Sequence, residues 1–267
     1  MQLQDHGALL ERITGLLQDA VVREAVHADY TRTIEQLGVE GAQARFLAEN
    51  TLRRLETSGW DIRRTEADIF ENFGIISARN KYIGATTLVG SFDNALQRRA
   101  KAFSGQIMMQ MMDLKGGTIA NISPHHEKLE ASKSSFQITE ADEAEQLSGS
   151  FSVAVLNNVL HHEAPERADE ILRSVSLKTD KRLVVLENTT VGRTPAEQEQ
   201  DRAVQFMHEY LFHRLLQDPA THDTPLPGNY DTAEGWAERI ENHGWRLSLR
   251  DSLPMEPHHT VLVFEKD

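Results

Sequence analysis

The spacing of apolar residues divides the chain into a helical first part and an alternating second part. Over about residues 5–60, leucine and isoleucine recur every three or four positions, which is typical of amphipathic helices. Gly38 interrupts this pattern once. The character changes after Glu71, so we predict a helical module over residues 1–72 and a second domain over residues 73–267.

Short apolar runs in the second domain predict buried strands, because a strand covered on both faces needs a nearly continuous run. These runs are residues 118–122, 136–138, 152–156 and 182–186. A helical pattern over residues 165–175 separates the last two runs. A strand, a helix and a second strand in this order predict a parallel sheet with right-handed crossovers.

The end of the chain carries two further strand patterns, at residues 245–250 and 260–264, with a Pro-containing loop between them. They predict an antiparallel hairpin at the edge of the sheet. The predicted fold class is therefore α/β: a Rossmann-like, mainly parallel sheet with a C-terminal antiparallel hairpin, plus the N-terminal helical module.

Composition excludes several function classes. The net charge of -13 repels phosphate backbones, so we expect no nucleic-acid partner. No apolar run approaches the roughly 20 residues of a membrane span, and the N-terminus lacks the pattern of a signal peptide, so we expect a cytoplasmic protein. The absence of cysteine excludes disulfides and thiolate chemistry. No His-Glu-x-x-His spacing occurs, and no metal site is expected.

Polar side chains directly follow the run at residues 152–156: Asn157, Asn158, His161 and His162. In an open parallel sheet, ligands bind outside the carboxyl ends of the strands. These four side chains therefore are candidates for a ligand site.

Two segments resemble a known family. Residues 148–162 resemble the fourth strand of class I S-adenosylmethionine (SAM) methyltransferases and the loop after it, and residues 182–187 resemble that family's fifth strand. Residues 73–82 and 96–100 are similar to the lead-in segments of the ubiquinone and menaquinone biosynthesis methyltransferases.

The resemblance implies a methyltransferase that uses SAM to methylate a small-molecule acceptor. Asn157 and Asn158 would shape the pocket for the methionine part of SAM. His161 or His162 would orient or deprotonate the acceptor. A homodimer through the N-terminal helices is a possible assembly.

The resemblance also implies residues for the nucleoside half of SAM. Asn121 stands where the family has an acidic residue that binds both ribose hydroxyls, and Ile122 belongs to the same edge. Asp142 matches the acidic position for the adenine amino group, and Glu143 takes this place if the register slips by one.

The chain departs from the family at its strongest signature, because it contains no Gly-x-Gly. Residues 107–112 read as the helix that normally follows the glycine loop, so a strand and a turn are absent between Gln106 and Ile107. Residues 86–92 are an alternative, divergent first strand. The sequence leaves three interpretations open: a remodelled loop, a truncated enzyme, or a catalytically silent scaffold or partner subunit that has lost SAM binding.

Overall fold

The computed structural model describes residues 6–37, 42–69, 71, 101–123, 129, 135–210, 228–253 and 256–266. The chain divides into two compact units. The first comprises Met1–Arg98 and Thr194–Leu226, and the second comprises Arg99–Arg193 and Pro227–Asp267.

The helices and strands are as follows. The helices are α1 His6–Leu16, α2 Ala20–Leu37, α3 Ala42–Ser58, α4 62–69, α5 101–109, α6 Pro165–Lys178, α7 Pro195–Tyr210 and α8 Ala233–Glu241. The strands are β1 Gly117–Ile122, β2 Phe136–Ala141, β3 Phe151–Asn157, β4 Thr179–Thr190, β5 Asp231–Thr232, β6 Trp245–Leu253 and β7 Glu256–Lys266. No helix in the described part of the chain has the length and apolarity to cross a membrane.

The first unit is helical, as the sequence predicts, but it also includes α7. The Tyr30 hydroxyl of α2 donates a hydrogen bond of 2.7 Å to the Met207 carbonyl of α7. His208 Nδ1 lies 2.8 Å from the buried carboxylate of Asp29. The sequence assigned α7 to the Rossmann-like domain, whereas these contacts place it with the N-terminal helices. The predicted boundary after residue 72 lies outside the described residues, and homodimer formation stays a prediction.

The residue order Thr-Pro-Ala-Glu at positions 194–197 is a capping-box pattern, and the start of α7 shows the two hydrogen bonds of that motif. The Glu197 amide donates to Thr194 Oγ1 at 3.2 Å, and the Thr194 amide donates to Glu197 Oε2 at 2.9 Å. These reciprocal bonds satisfy two backbone donors that a helix N-terminus otherwise leaves open.

The second unit contains a sheet in the order β2-β1-β3-β4-β7-β6, and the short β5 pairs with β4. Neighbouring strands from β2 to β4 are parallel, whereas β7 is antiparallel to β4 and β6 is antiparallel to β7. The predicted α/β fold class is confirmed, as is the C-terminal hairpin. The predicted strands at 152–156 and 182–186 are buried parallel neighbours.

Helices cover both faces of this sheet. On one face, Val153, Val155 and Val184 share a core with Phe103 and Ile107 of α5. On the other face, alternate residues of the same strands pack on α6 and α8: Ala154, Leu156, Leu183 and Val185 pack with Leu172 and Trp236. Burial on both sides explains why the runs in β3 and β4 read as continuously apolar.

The direct pairing of β1 with β3 is the main departure from a doubly wound sheet. In the common order 3-2-1-4-5-6, the first strand lies between the second and the fourth. Here, the registers Ile119↔Val153 to Ile122↔Leu156 leave no room for a strand between the two. The helix α5 runs without a break through Gln106 and Ile107, where the sequence predicts the loss of a strand and a turn.

Two glycines let the start of β1 approach its two neighbours closely, Gly117 on the β3 side and Gly116 on the β2 side. Gly117 has φ +147°, and a Cβ atom there would lie 2.6 Å from Ser152 Oγ and 2.9 Å from Ser152 Cβ. Gly116 has φ +133°, and a Cβ atom there would likewise clash with Ser135. A side chain at either position would push β1 away from a neighbouring strand.

We expect Gly117→Ala to destabilise the protein by about 2 kcal/mol, because it combines a strained φ with a steric clash. Gly105→Ala in α5 is the control. A Cβ at Gly105 meets nothing within 4 Å, and alanine favours a helix over glycine. Urea unfolding measures both variants. Equal urea midpoints for Gly117→Ala and Gly105→Ala would contradict the conclusion that β1 needs glycine at position 117.

We also expect an alkaline loss of stability from Tyr30. Burial, and secondly the charge of Asp29, raise the pKa of Tyr30 well above 10.0. Above the unfolded-state pKa, the unfolded chain releases this proton while the folded chain keeps it, so the free energy of unfolding falls as pH rises. Below that pH the contribution is fully present.

Tyr30→Phe removes this titration together with the hydrogen bond to Met207, at a cost of about 1 kcal/mol near neutral pH. The stability difference between wild type and variant should therefore shrink as pH rises through and above 10.0. Urea unfolding at several alkaline pH values tests this expectation. A stability difference between wild type and Tyr30→Phe that stays constant as pH rises would refute it.

Candidate functional site

The strand order places a topological switch point between β1 and β3. From β1 the chain proceeds outward to β2, whereas β3 and β4 extend the sheet in the opposite direction. Ligands of open α/β sheets bind at such a point, outside the carboxyl ends of the strands. Of the predicted cofactor residues, Asn121 and Ile122 end β1, and Asn157 and Asn158 lie at the end of β3. The pairing of β1 with β3 therefore brings these four residues to one edge.

Asn121 is fully buried, and its side chain is held from the neighbouring strand. Its Nδ2 donates to Glu140 Oε2 at 2.6 Å, and the other Glu140 oxygen accepts from the Leu129 amide at 3.2 Å. Ile122 instead packs its side chain into the core on the opposite face, so only its backbone lies at the edge.

Asp142 and Glu143 follow β2, and both are exposed. The Ser123 amide donates to the Ala141 carbonyl at 3.0 Å, which ties the end of β1 to the end of β2. The Asp142 amide donates to Gln146 Oε1 at 3.2 Å. A carboxylate therefore borders the switch point and is accessible to solvent.

Asn157 and Asn158 are buried at the end of β3. Asn158 has φ +55°, a left-handed conformation that asparagine adopts more readily than most residues. Its amide donates to the Leu186 carbonyl at 2.9 Å, so the turn stays against β4. This turn directs the chain into a single 3-10 turn, Leu160–His162, which carries both candidate catalytic histidines.

The carboxylate of Glu187, in β4, organises that turn. Its Oε1 accepts hydrogen bonds from the amides of Val159, at 2.8 Å, and Leu160, at 2.6 Å. Its Oε2 lies 2.5 Å from His161 Nδ1, and both side chains are buried. Three donors thus compensate a buried charge that would otherwise be costly.

Glu187 was missed as a site residue, although it ends the resembling segment 182–187. The available signal was an acidic residue that directly continues the apolar run of a buried strand. Such a residue is almost never fully buried unless it is paired, so its position predicts a partner.

The bond to Glu187 defines the chemistry of His161. When Nδ1 donates to the carboxylate, Nε2 carries the lone pair, and Asn188 Nδ2 lies 3.3 Å from it as a donor. A neutral imidazole backed by a carboxylate accepts a proton at Nε2 and is stabilised as it becomes charged.

The loop before β5 holds the backbone and the ring of His161. The amides of Gly228 and Asn229 both donate to the His161 carbonyl at 3.1 Å. The Tyr230 ring stacks on the imidazole, with centroids 5.7 Å apart. His162 is also buried, and its ring centroid lies 4.1 Å from that of His161. Of the two predicted histidines, the structure therefore pairs His161 with the carboxylate.

Comparison with solved structures gives likenesses of low sequence identity. The mitomycin 7-O-methyltransferase MmcR is 15 % identical over 84 % of this chain and 70 % of its own, with a TM-score of 0.49. The pyocyanin biosynthetic protein PhzM is 14 % identical over 67 % and 58 %, with a TM-score of 0.47. CalO1, a methyltransferase of calicheamicin biosynthesis in its SAH-bound form, is 13 % identical over 71 % and 61 %, with a TM-score of 0.45.

These likenesses cover only part of each chain. The chain spans less than two thirds of the length of PhzM and of CalO1. Residues 73–82, which resemble the ubiquinone-type group, lie outside the described part of the chain. No protein-family model and no curated protein matches the chain.

We expect Glu187→Gln to destabilise the protein by about 1–3 kcal/mol, because one acceptor oxygen becomes a donor facing buried N–H groups. Glu163→Gln is the control. Burial raises the pKa of Glu163, so the substitution removes a charge that burial disfavours. The free energy of unfolding of Glu163→Gln should therefore differ from that of wild type by less than about 0.5 kcal/mol.

Urea unfolding near pH 7 measures the two stabilities, and the imidazole ¹⁵N spectrum reports the tautomer of His161. Wild type should show protonated Nδ1, and Glu187→Gln should change that signal, whereas Glu163→Gln should leave it unchanged. A tolerated Glu187→Gln with an unaltered spectrum would show that Glu187 does not organise the turn.

Proposed function

We propose that this chain is a SAM-dependent methyltransferase that methylates a small-molecule acceptor. The observation that carries the proposal is the buried His161–Glu187 pair, at the carboxyl end of β3 and β4 and beside the switch point of the sheet. A positioned base next to a ligand edge is what proton removal from an acceptor requires.

The residues at the switch point fit the polar parts of SAM. Asn121 and Asp142 would hold ribose and adenine, because an amide and an exposed carboxylate there offer acceptors for hydroxyl and amino groups. Asn157 and Asn158 would border the methionine part. When bound, SAM supplies an electrophilic methyl group on a sulfonium centre.

The chain's own residues would act on the acceptor. When the acceptor displaces Asn188 Nδ2 from His161 Nε2, that nitrogen would take the acceptor's proton, and Glu187 would stabilise the resulting imidazolium through Nδ1. The hydrogen bonds from Val159 and Leu160 to Glu187 fix the turn, so the imidazole needs no reorganisation during proton transfer. Most of the rate gain would come from this positioning.

We restrict the proposal to SAM-dependent methyltransferases as a class. The narrower likeness to the ubiquinone and menaquinone group depends on residues 73–82 and 96–100, which lie outside the described part of the chain.

A second candidate function is a catalytically silent, methyltransferase-like scaffold or partner subunit. The observation that favours it is the direct pairing of β1 with β3, where a doubly wound sheet has its first strand and glycine loop. The backbone groups that such a loop offers to a ligand would then have no replacement at the methionine end.

Calorimetric titration with S-adenosylhomocysteine distinguishes the two functions. If the chain binds the cofactor, Asp142→Ala should weaken binding by about 1.5–3 kcal/mol, the value of a hydrogen bond to a charged group. Glu143→Ala, the neighbouring exposed carboxylate, is the control and should leave affinity unchanged. His161→Ala should also retain binding, because His161 is assigned to the acceptor.

No heat and no thermal shift at millimolar ligand would overturn the enzyme proposal and favour the silent scaffold. Equal effects of Asp142→Ala and Glu143→Ala would retain cofactor binding but refute the assigned adenine contact.

A further inference from the structure

A groove of about 310 Å³ lies between α3 and α4 in the helical unit. Its polar walls include Arg53, Arg54 and Arg64, with Asn50, Thr57 and Asp68. Pockets for small molecules begin at about this volume.

The floor of the groove is held by one hydrogen bond between the two helices and by local hydrogen bonds at the end of α3 and the start of α4. Ser58 Oγ lies 2.8 Å from Thr65 Oγ1, which in turn donates to the Asp61 carbonyl at 2.8 Å. Ser58 Oγ also reaches the Leu55 carbonyl at 2.9 Å. Because Thr65 is buried, these bonds fix the separation of α3 and α4 without a ligand.

The charge of the groove is opposite to that of the chain. Three guanidinium groups face one carboxylate, Asp68, whereas the chain as a whole has a net charge of -13. Asp68 pairs with Arg54. Arg53 and Arg64 are exposed, and within the described ranges no carboxylate forms an ion pair with either.

Arg53 also borders a neighbouring groove of about 280 Å³ that includes Glu35, Glu49 and Glu56. None of these carboxylates forms an ion pair with Arg53, and His27 takes the contact with Glu56 at 3.9 Å. The Arg53 guanidinium therefore remains available to the arginine-lined groove.

We propose that this groove binds the phosphate group of a small phosphomonoester. Guanidinium groups match phosphate oxygens through paired, charge-assisted hydrogen bonds, and the Asn50 amide adds neutral donors. The volume suits a phosphate on a small organic group. A phosphate would compete with Asp68 for Arg54, so the site holds its own intramolecular competitor. The proposal is independent of the methyl-transfer function.

The test measures the binding of inorganic phosphate and of glycerol phosphate to the full chain. The method is ³¹P NMR relaxation at constant ionic strength. We expect saturable binding of both probes. Arg64→Gln should weaken it about tenfold, the loss of roughly 1.4 kcal/mol from one contact. Asp68→Asn should tighten it, because the competing charge is removed.

Arg63→Gln is the matched control, since Arg63 adjoins Arg64 in α4 and lies 3.7 Å from Glu11 instead of lining the groove. It should leave phosphate affinity unchanged. Equal weakening by Arg63→Gln and Arg64→Gln would overturn the proposal, because it would indicate a general effect of surface charge. Absence of saturable binding by wild type, or weaker binding by Asp68→Asn, would overturn it as well.

Discussion

The direct hydrogen bonding of β1 to β3 is the constraint on which the α/β unit depends. It requires glycine at position 117, since a Cβ there would lie 2.6 Å from Ser152 Oγ in β3. It also sets the ligand edge, because it places the end of β1 beside the end of β3. The same contact that closes the sheet therefore brings Asn121 and Asn157 together and excludes a strand between them.

The catalytic candidate depends on a different element, the long central strand β4. This strand pairs with β3 on one side and β7 on the other, and it carries Glu187 at a fully buried position. A carboxylate in a dry core is tolerated when donors converge on it, and here the turn after β3 supplies three. Glu187 thus links the stability of the turn to the protonation chemistry of His161. The cost of burying the charge is offset only while the turn keeps its conformation.

Sequence patterns predicted the sheet well because both of its faces are covered. Continuous burial produces the apolar runs of β3 and β4, and local capping chemistry defines the start of α7. The assignment of α7 could not be predicted in this way, because its packing depends on Tyr30 and Asp29, far away in the chain. For the site, the patterns indicated which strand ends are polar. They did not predict Glu187, whose role arises from the proximity of two separate strands. The strand β4 is also longer than the apolar run at residues 182–186, and that run did not indicate that β5 pairs with β4.

Central to this account is the proposal that the sheet edge where β1 pairs with β3 binds SAM. Its most direct test is a backbone amide NMR titration of the full chain with S-adenosylhomocysteine. The account predicts saturable shifts concentrated at residues 121–123, at Asp142 and Glu143, and at residues 157–162. Saturable shifts confined to other regions, or spectra unchanged at millimolar ligand, would contradict it.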